Sequence, residues 1–237
     1  MKFPALFRRR EIWVPTIWAW VLTLIVLAVT AVLVVRCVHP FLAVDQPAGA
    51  SLLVVEGWMA PEELDQAITR FRSGNYSAVI TTGGPVSADL YRQDAISYAM
   101  LARDYLVRRG LKPDSVTAVP TPESAQDRSY LSAVMVREHL KRSGQTVAVM
   151  DLYSSGVHSR RTRAVYRMAL GPDVRVGILA ARPTAYDPDA WWTSSTGAKT
   201  VVMEAISWIW TGLFFRPPEQ GSHEEKWGRP PAVQSAK

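Results

Sequence analysis

One cysteine, Cys37, occurs in the 237 residues, so no intrachain disulfide can staple the fold. Arg36 stands immediately before it, where a lipoprotein signal requires a small residue, so a lipid anchor at Cys37 is not expected. The glycine signatures of phosphate binding are also missing. No Gly-Lys-Ser/Thr follows the Gly83-Gly84 pair, which excludes a Walker loop, and no GxGxxG dinucleotide fingerprint occurs. Close-spaced His and Cys ligand pairs are absent, so the motifs name no metal and no cofactor, although Glu56, Asp127 and His158 are ligand types. No basic stripe with interleaved aromatics runs through the chain, and a nucleic-acid partner is not expected.

Charge is present but unevenly placed. The net charge is +6. The first 36 residues hold five basic residues (Lys2, Arg8, Arg9, Arg10, Arg36) and one acidic residue, Glu11. That leaves +4 in the leader and, from 22 basic against 20 acidic residues, +2 in the remainder. Basicity therefore belongs to the flank of an apolar run. No charge occurs from Trp13 to Val35. As a helix this run spans roughly 34 Å against a hydrocarbon core of about 30 Å. Trp13, Trp18 and Trp20 gather at one end, as an interfacial belt does, and Pro15 falls in the first turn, where its missing N–H costs little. The basic flank predicts a cytoplasmic N-terminus over 1–12, a membrane span over 13–35 and an exported remainder. The run is longer than a signal-peptide core, which favours a retained anchor in the plasma (inner) membrane over a cleaved signal.

Beyond the span, residues 36–50 read as a linker. Five β-like runs follow, at 51–55, 78–82, 115–119, 146–152 and 174–180. Helical patterns alternate with them at 61–73, 88–109, 123–142 and 157–170. Strands separated by helices imply crossovers, and so a mainly parallel, helix-covered sheet in one α/β domain over 51–215. Residues 201–215 are apolar apart from Glu204, Ser207 and Thr211, which reads as a buried or membrane-facing helix. Residues 216–237, polar and proline-rich, read as a disordered tail.

Ligands of open parallel sheets bind outside the carboxyl ends of the strands. The expected ends carry Glu56-Gly57-Trp58, Thr82-Gly83-Gly84 and Ser155-Gly156-Val157-His158. Glu56 is either an acid, base or ligand, or the cap of the next helix. Gly83 and Gly84 allow close backbone approach to a ligand, or make a tight turn. His158, near a helix start behind a small-residue loop, is placed to act as base, acid or nucleophile, against the plainer reading of a surface histidine. Arg160, Arg161 and Arg163 follow it within one and a half turns, so they cannot all face an anionic substrate. Asp127 either completes a capping box with Ser124 or, with Arg128, reaches the crevice. Trp191-Trp192 reads first as packing.

The Val54-Val55-Glu56-Gly57-Trp58 run, Thr82-Gly83-Gly84, Asp127-Arg128-Ser129-Tyr130, the His158–Arg163 run, Trp191-Trp192 and Glu204 together resemble the YdcF-like family, which includes the SanA and ElyC types of bacterial envelope protein. The resemblance covers about residues 51–215. Glu56-Gly57-Trp58 stands where many members carry a glycine-rich loop, so the likeness is to a subgroup. It implies a Rossmann-like three-layer sandwich, often behind one transmembrane helix, and a role in cell-envelope or peptidoglycan-related biogenesis. It supplies neither substrate nor protein partner.

The resulting expectation is an extracytoplasmic domain that acts on, or binds, an anionic or lipid-linked envelope precursor. Glu56 and His158 form the acid–base pair. Gly83, Gly84, Asp127, Arg128, Ser155, Arg160, Arg161 and Arg163 hold the substrate. The rival expectation is a non-catalytic regulatory or scaffolding module that uses the same pocket only for binding.

Overall fold

The structure, a computed structural model, describes residues 13–86, 96–123 and 127–228. The chain divides into two compact units, residues 1–37 and 38–237.

The described part of the first unit belongs to helix α1 (Ile17–Leu42), whose last residues enter the second unit. At 1.5 Å per residue its 26 residues reach about 39 Å. It is the one helix among the described residues long and apolar enough to cross a membrane, and a signal sequence passes the same test. The Trp18 and Trp20 side chains are exposed on it, as is that of Trp13 ahead of its first turn.

The second unit is a Rossmann-like α/β domain. Its order is β1 (Leu52–Glu56), α2 (Pro61–Ser73), β2 (Ala78–Gly83), α3 (Tyr98–Arg108), β3 (Val116–Pro120), α4 (Arg128–Arg142), β4 (Val149–Ser155), α5 (Ser159–Leu170), β5 (Arg175–Ala181), α6 (Ser195–Leu213) and α7 (His223–Trp227). The five strands form one all-parallel sheet in the order β3-β2-β1-β4-β5. Both faces are covered, which is why β1 is buried at every position. Alternate residues serve opposite faces. Leu52 and Val54 pack with Tyr130, Val134 and Tyr166 of α4 and α5. Leu53 and Val55 pack with Leu64, Ile68, Ala102 and Leu106 of α2 and α3.

Local chemistry sets the element ends. Pro61 opens α2, and Glu63 turns back to accept from the Ala60 N–H at 3.2 Å. Ser97 caps α3 and Ser194 caps α6, each through a side-chain oxygen. The helix expected from 88 begins, among the described residues, at Tyr98, and 88–95 lie outside them. The helix expected from 123 starts at Arg128, with 124–126 outside the described residues.

Three expectations are corrected. The segment 36–50 is no passive linker. α1 runs to Leu42, Gln46 bridges Ile178 of the outer strand, and the Ala48 and Ala50 N–H groups donate to the buried Asp151 carboxylate at 2.6 and 3.1 Å. The fourth strand lies three residues later than its apolar run, because pairing with β5 continues to Ser155 opposite Ala181. Within the expected disordered tail, 223–227 form α7. Its Glu225 is buried against Arg137 of α4 in a two-pronged ion pair at 2.7 and 2.8 Å. Pairing overcomes the polar composition there. Residues 229–237 lie outside the described residues.

α6 is two-faced. Val201, Glu204 and Thr211 are buried, while Val202, Met203, Ile206, Ile209, Leu213 and Phe214 are exposed.

Candidate functional site at the reversal of strand order

Strand order reverses between β1 and β4, the place where a parallel sheet opens a crevice at its carboxyl ends. β1 delivers Glu56 to that crevice. β4 delivers Ser154, and the turn behind it delivers His158 at the N-cap of α5.

Glu56 is 3% exposed. Its carboxylate accepts from the Ser154 hydroxyl and, at 3.3 Å, from the Thr162 hydroxyl. The cap of α2 is supplied by Glu63, so Glu56 does not serve that helix. The nearest cationic candidate is His158, whose Nε2 lies 3.8 Å from Glu56 Oε1.

His158 is the hub. Its Nδ1 meets Glu204 Oε2 of α6 at 2.9 Å, and its Nε2 faces Ser129 Oγ of α4 at 3.3 Å. Trp58 packs edge-on to the imidazole, with ring centres 5.2 Å apart. A carboxylate only accepts, so Nδ1 carries the proton in the Glu204 contact. Arg161 Nη2, itself a donor, lies 3.0 Å from Nδ1 and 3.5 Å from Nε2, so Nε2 is the acceptor in the tautomer that the Glu204 contact selects. Arg161 donates to both oxygens of Glu204, at 2.6 and 3.1 Å. Burial alone raises the Glu204 carboxyl, but the hydrogen bonds and charges of His158 and Arg161 outweigh it. Its pKa is held below the ordinary carboxylate value. Glu204 is therefore an ionised anchor that orients the ring and favours the tautomer with the proton on Nδ1.

The remaining candidate residues divide sharply. Arg161 is in the cluster. Arg160 is not: its guanidinium donates to the Phe41 carbonyl and stacks 4.0 Å from the Phe41 ring centre. Arg163 donates to the Val176 carbonyl at 3.0 Å and to Gln46 at 2.8 Å, fastening the 43–50 segment. Both are occupied by the protein's own groups and stand outside the His158 cluster. Helical spacing turns them off the face that His158 and Arg161 share. Ser155 is likewise diverted, donating to Glu63 Oε1 at 2.6 Å.

Gly83 and Gly84 answer to the protein's own packing. Gly83 has φ +146°, and a Cβ there would lie 2.7 Å from Tyr98 Cβ. A Cβ on Gly84 would lie 3.0 Å from Thr121 Oγ1. The close approach these glycines permit is to α3 and to the end of β3. Asp127 holds a left-handed backbone at the N-cap of α4, and its side chain makes no cap hydrogen bond. Its expected partner Ser124 lies outside the described residues. Arg128, next in line, is exposed.

Asp127, Ser129 and Arg161, with Val165, Ile206 and Trp210, line an open cavity of about 240 Å³. Trp191 is buried and Trp192 partly exposed, edge to face at 5.9 Å, a packing pair.

Sequence reasoning assigned no role to Ser129, Ser154, Thr162 or Glu204. Glu204 had a visible signal as the one ionisable side chain in the apolar run 201–215. Ser129 and Thr162 had none, because only folding gives them partners 29 and 106 residues away. Neither a protein-family model nor a curated protein matches the chain.

Proposed function

We propose that this chain is a membrane-anchored YdcF-like protein whose extracytoplasmic domain is an enzyme acting on an anionic, lipid-linked precursor in cell-envelope or peptidoglycan-related biogenesis. The observation that carries the enzymatic reading is His158. One ring nitrogen is anchored on an ionised Glu204, and the other is open toward Ser129 and Glu56 at the strand reversal. A histidine held in one tautomer with Nε2 free is built to take up and return a proton. Glu56, supplied with two hydroxyl donors and no fixed cation, supports the imidazolium that forms when it does. A module that only binds has no need of a carboxylate that sets a tautomer.

Several features support the substrate class. Arg128 is exposed at the first position of α4, and the first N–H groups of that helix lack intrahelical acceptors. Both favour an anion. The helix that supplies Glu204 also exposes an apolar face, as an element working beside lipid does. The basic leader and α1 support an N-terminus in the cytoplasm and a domain outside it.

The test is lipid and precursor profiling of a deletion strain complemented with wild type, His158→Ala or Glu56→Gln. Both variants are expected to be made at normal levels and to accumulate the precursor that the deletion accumulates. Full complementation by His158→Ala defeats the enzymatic reading. A reporter active only outside the cytoplasm, fused after residue 237, is expected to give signal, and silence there defeats the topology.

A further inference from the structure

We infer that Ser129 is a covalent nucleophile, and that Ser129, His158 and Glu204 form a serine-hydrolase triad for an acyl ester. The inference rests on the proton-transfer role proposed for His158 and adds the bond-making atom and the reaction type.

Geometry is the first ground. A triad needs a hydroxyl on one ring nitrogen and a carboxylate on the other. Ser129 Oγ is 3.3 Å from Nε2, at the long end of hydrogen-bond reach and typical of such contacts before substrate closes on them. Glu204 Oε2 is 2.9 Å from Nδ1. The three come from the starts of α4 and α5 and from α6, so no single element explains their meeting. Arg161 keeps Glu204 ionised by donating to both its oxygens.

Placement is the second ground. Ser129 is the second residue of α4, and the Asp127 side chain makes no cap hydrogen bond to that helix end. Ser129 therefore belongs to the first turn of α4, whose N–H groups lack intrahelical acceptors and carry the positive end of the helix dipole, a setting that favours an oxyanion. Ser129 also lines the cavity of about 240 Å³, whose other walls include Val165, Ile206, Trp210 and Phe215. An apolar slot opening at a nucleophile suits an acyl chain, with its carbonyl carbon at Oγ.

The chemistry balances with water as the only co-reactant. Ser129 Oγ bonds to the carbonyl carbon while its proton passes to Nε2, and the carbonyl π pair becomes an oxyanion. The oxyanion reforms the carbonyl and expels the alcohol oxygen, which takes the proton from Nε2. Water then attacks the acyl-serine, giving its proton to Nε2. The second collapse releases the carboxylic acid and returns the proton to Oγ. Glu204 and Glu56 bracket the imidazolium present between transfers.

The test uses the purified full chain in detergent and a fluorophosphonate probe, which esterifies activated serines. Intact mass and peptide mapping are expected to find one adduct, on Ser129. His158→Ala and Glu204→Gln are expected to label at least 100-fold more slowly, with far-ultraviolet circular dichroism showing both variants folded at the labelling temperature. Ser129→Ala is expected to show no adduct. A folded wild type that takes no label, or takes it at another residue, overturns the nucleophile. Failed complementation by His158→Ala would in that case leave the proton-transfer reading standing. Hydrolysis of p-nitrophenyl octanoate is expected to exceed that of the acetate at least tenfold in kcat/KM. Equal rates overturn the acyl-slot assignment.

Discussion

Two buried glutamates in this domain reach back from late helices to basic residues, and they do different things. Glu225 of α7 accepts from both terminal nitrogens of Arg137, from Tyr130 Oη at 3.2 Å and from the Gly221 N–H at 2.8 Å. Side-chain exposure is 7% for Arg137 and 0% for Glu225. Both carboxylate oxygens are spent on donors that keep their protons, so the pair can only hold α7 against α4. Glu204 of α6 also binds an arginine, Arg161, but shares it with His158, a group that can gain and lose a proton. His158 in turn keeps one nitrogen toward the Ser129 hydroxyl, and Ser129 lines a cavity. Ionic partners alone therefore do not distinguish a clamp from a site. The distinguishing feature is a histidine within the network, since a cavity also opens beside Glu225.

The largest expected separation between the two regions comes from removing one nitrogen-bearing partner of each glutamate. His158→Ala should lower turnover by roughly 10²–10⁴-fold, the usual weight of a positioned acid–base, while leaving the melting temperature near wild type. Arg137→Ala should do the reverse. It strands Glu225 without its cation and should cost about 3–5 kcal/mol in urea unfolding, with turnover per folded molecule retained. An Arg137→Ala protein that melts like wild type would mean that the clamp carries no stability.

A middle-sized effect sharpens the contrast among the arginines of α5. Arg161→Lys keeps charge but loses the two-pronged hold on Glu204. It should weaken the activity of the site by about 1.5–3 kcal/mol, or roughly ten- to 150-fold. Arg160→Lys and Arg163→Lys should leave turnover within a few-fold of wild type, since their contacts are to Phe41, Val176 and Gln46. Steady-state kinetics of the three variants, with melting as control, decides the matter. Equal losses in all three would dissolve the distinction.

The smallest effect is in pH. Glu204 and Glu225 both have folded-state pKa values below the ordinary carboxylate value. In each, burial pulls upward, and hydrogen bonds lead the opposing causes that outweigh it. A depressed carboxylate contributes its stability in full above the ordinary value near 4.5 and loses it as pH falls through the folded-state value. The stability gap between wild type and Glu204→Gln, and likewise Glu225→Gln, should be level from pH 7 to about 5.5 and narrow below about pH 4.5. Chemical denaturation across that range measures it, and a gap that widens in acid contradicts the ion-pair account.

Much of the architecture was written in local pattern. α2 was expected at 61–73 and occupies those residues, because Pro61 and the paired acidic residues of its first turn mark its start. All five strands announced themselves as apolar runs, since a sheet covered on both faces needs apolar residues at successive positions. The uncharged run from Trp13 to Val35 marked the long apolar helix for the same reason: hydropathy is a property of consecutive residues. Meetings between distant residues had no such record. The Ser-His-Glu line joins positions 129, 158 and 204, the Arg137–Glu225 clamp spans 88 residues, and Asp151 fastens a segment about a hundred residues earlier. Periodicity reports which face of an element is buried and is silent on what it is buried against. The sequence by itself thus determined the apolar helix, the alternation of strand and helix, and the strand ends at which chemistry would gather. Only the tertiary structure decided which arginine turned toward His158, which serine faced its open nitrogen and which carboxylate locked the ring, because each depends on how α4, α5 and α6 pack on the sheet.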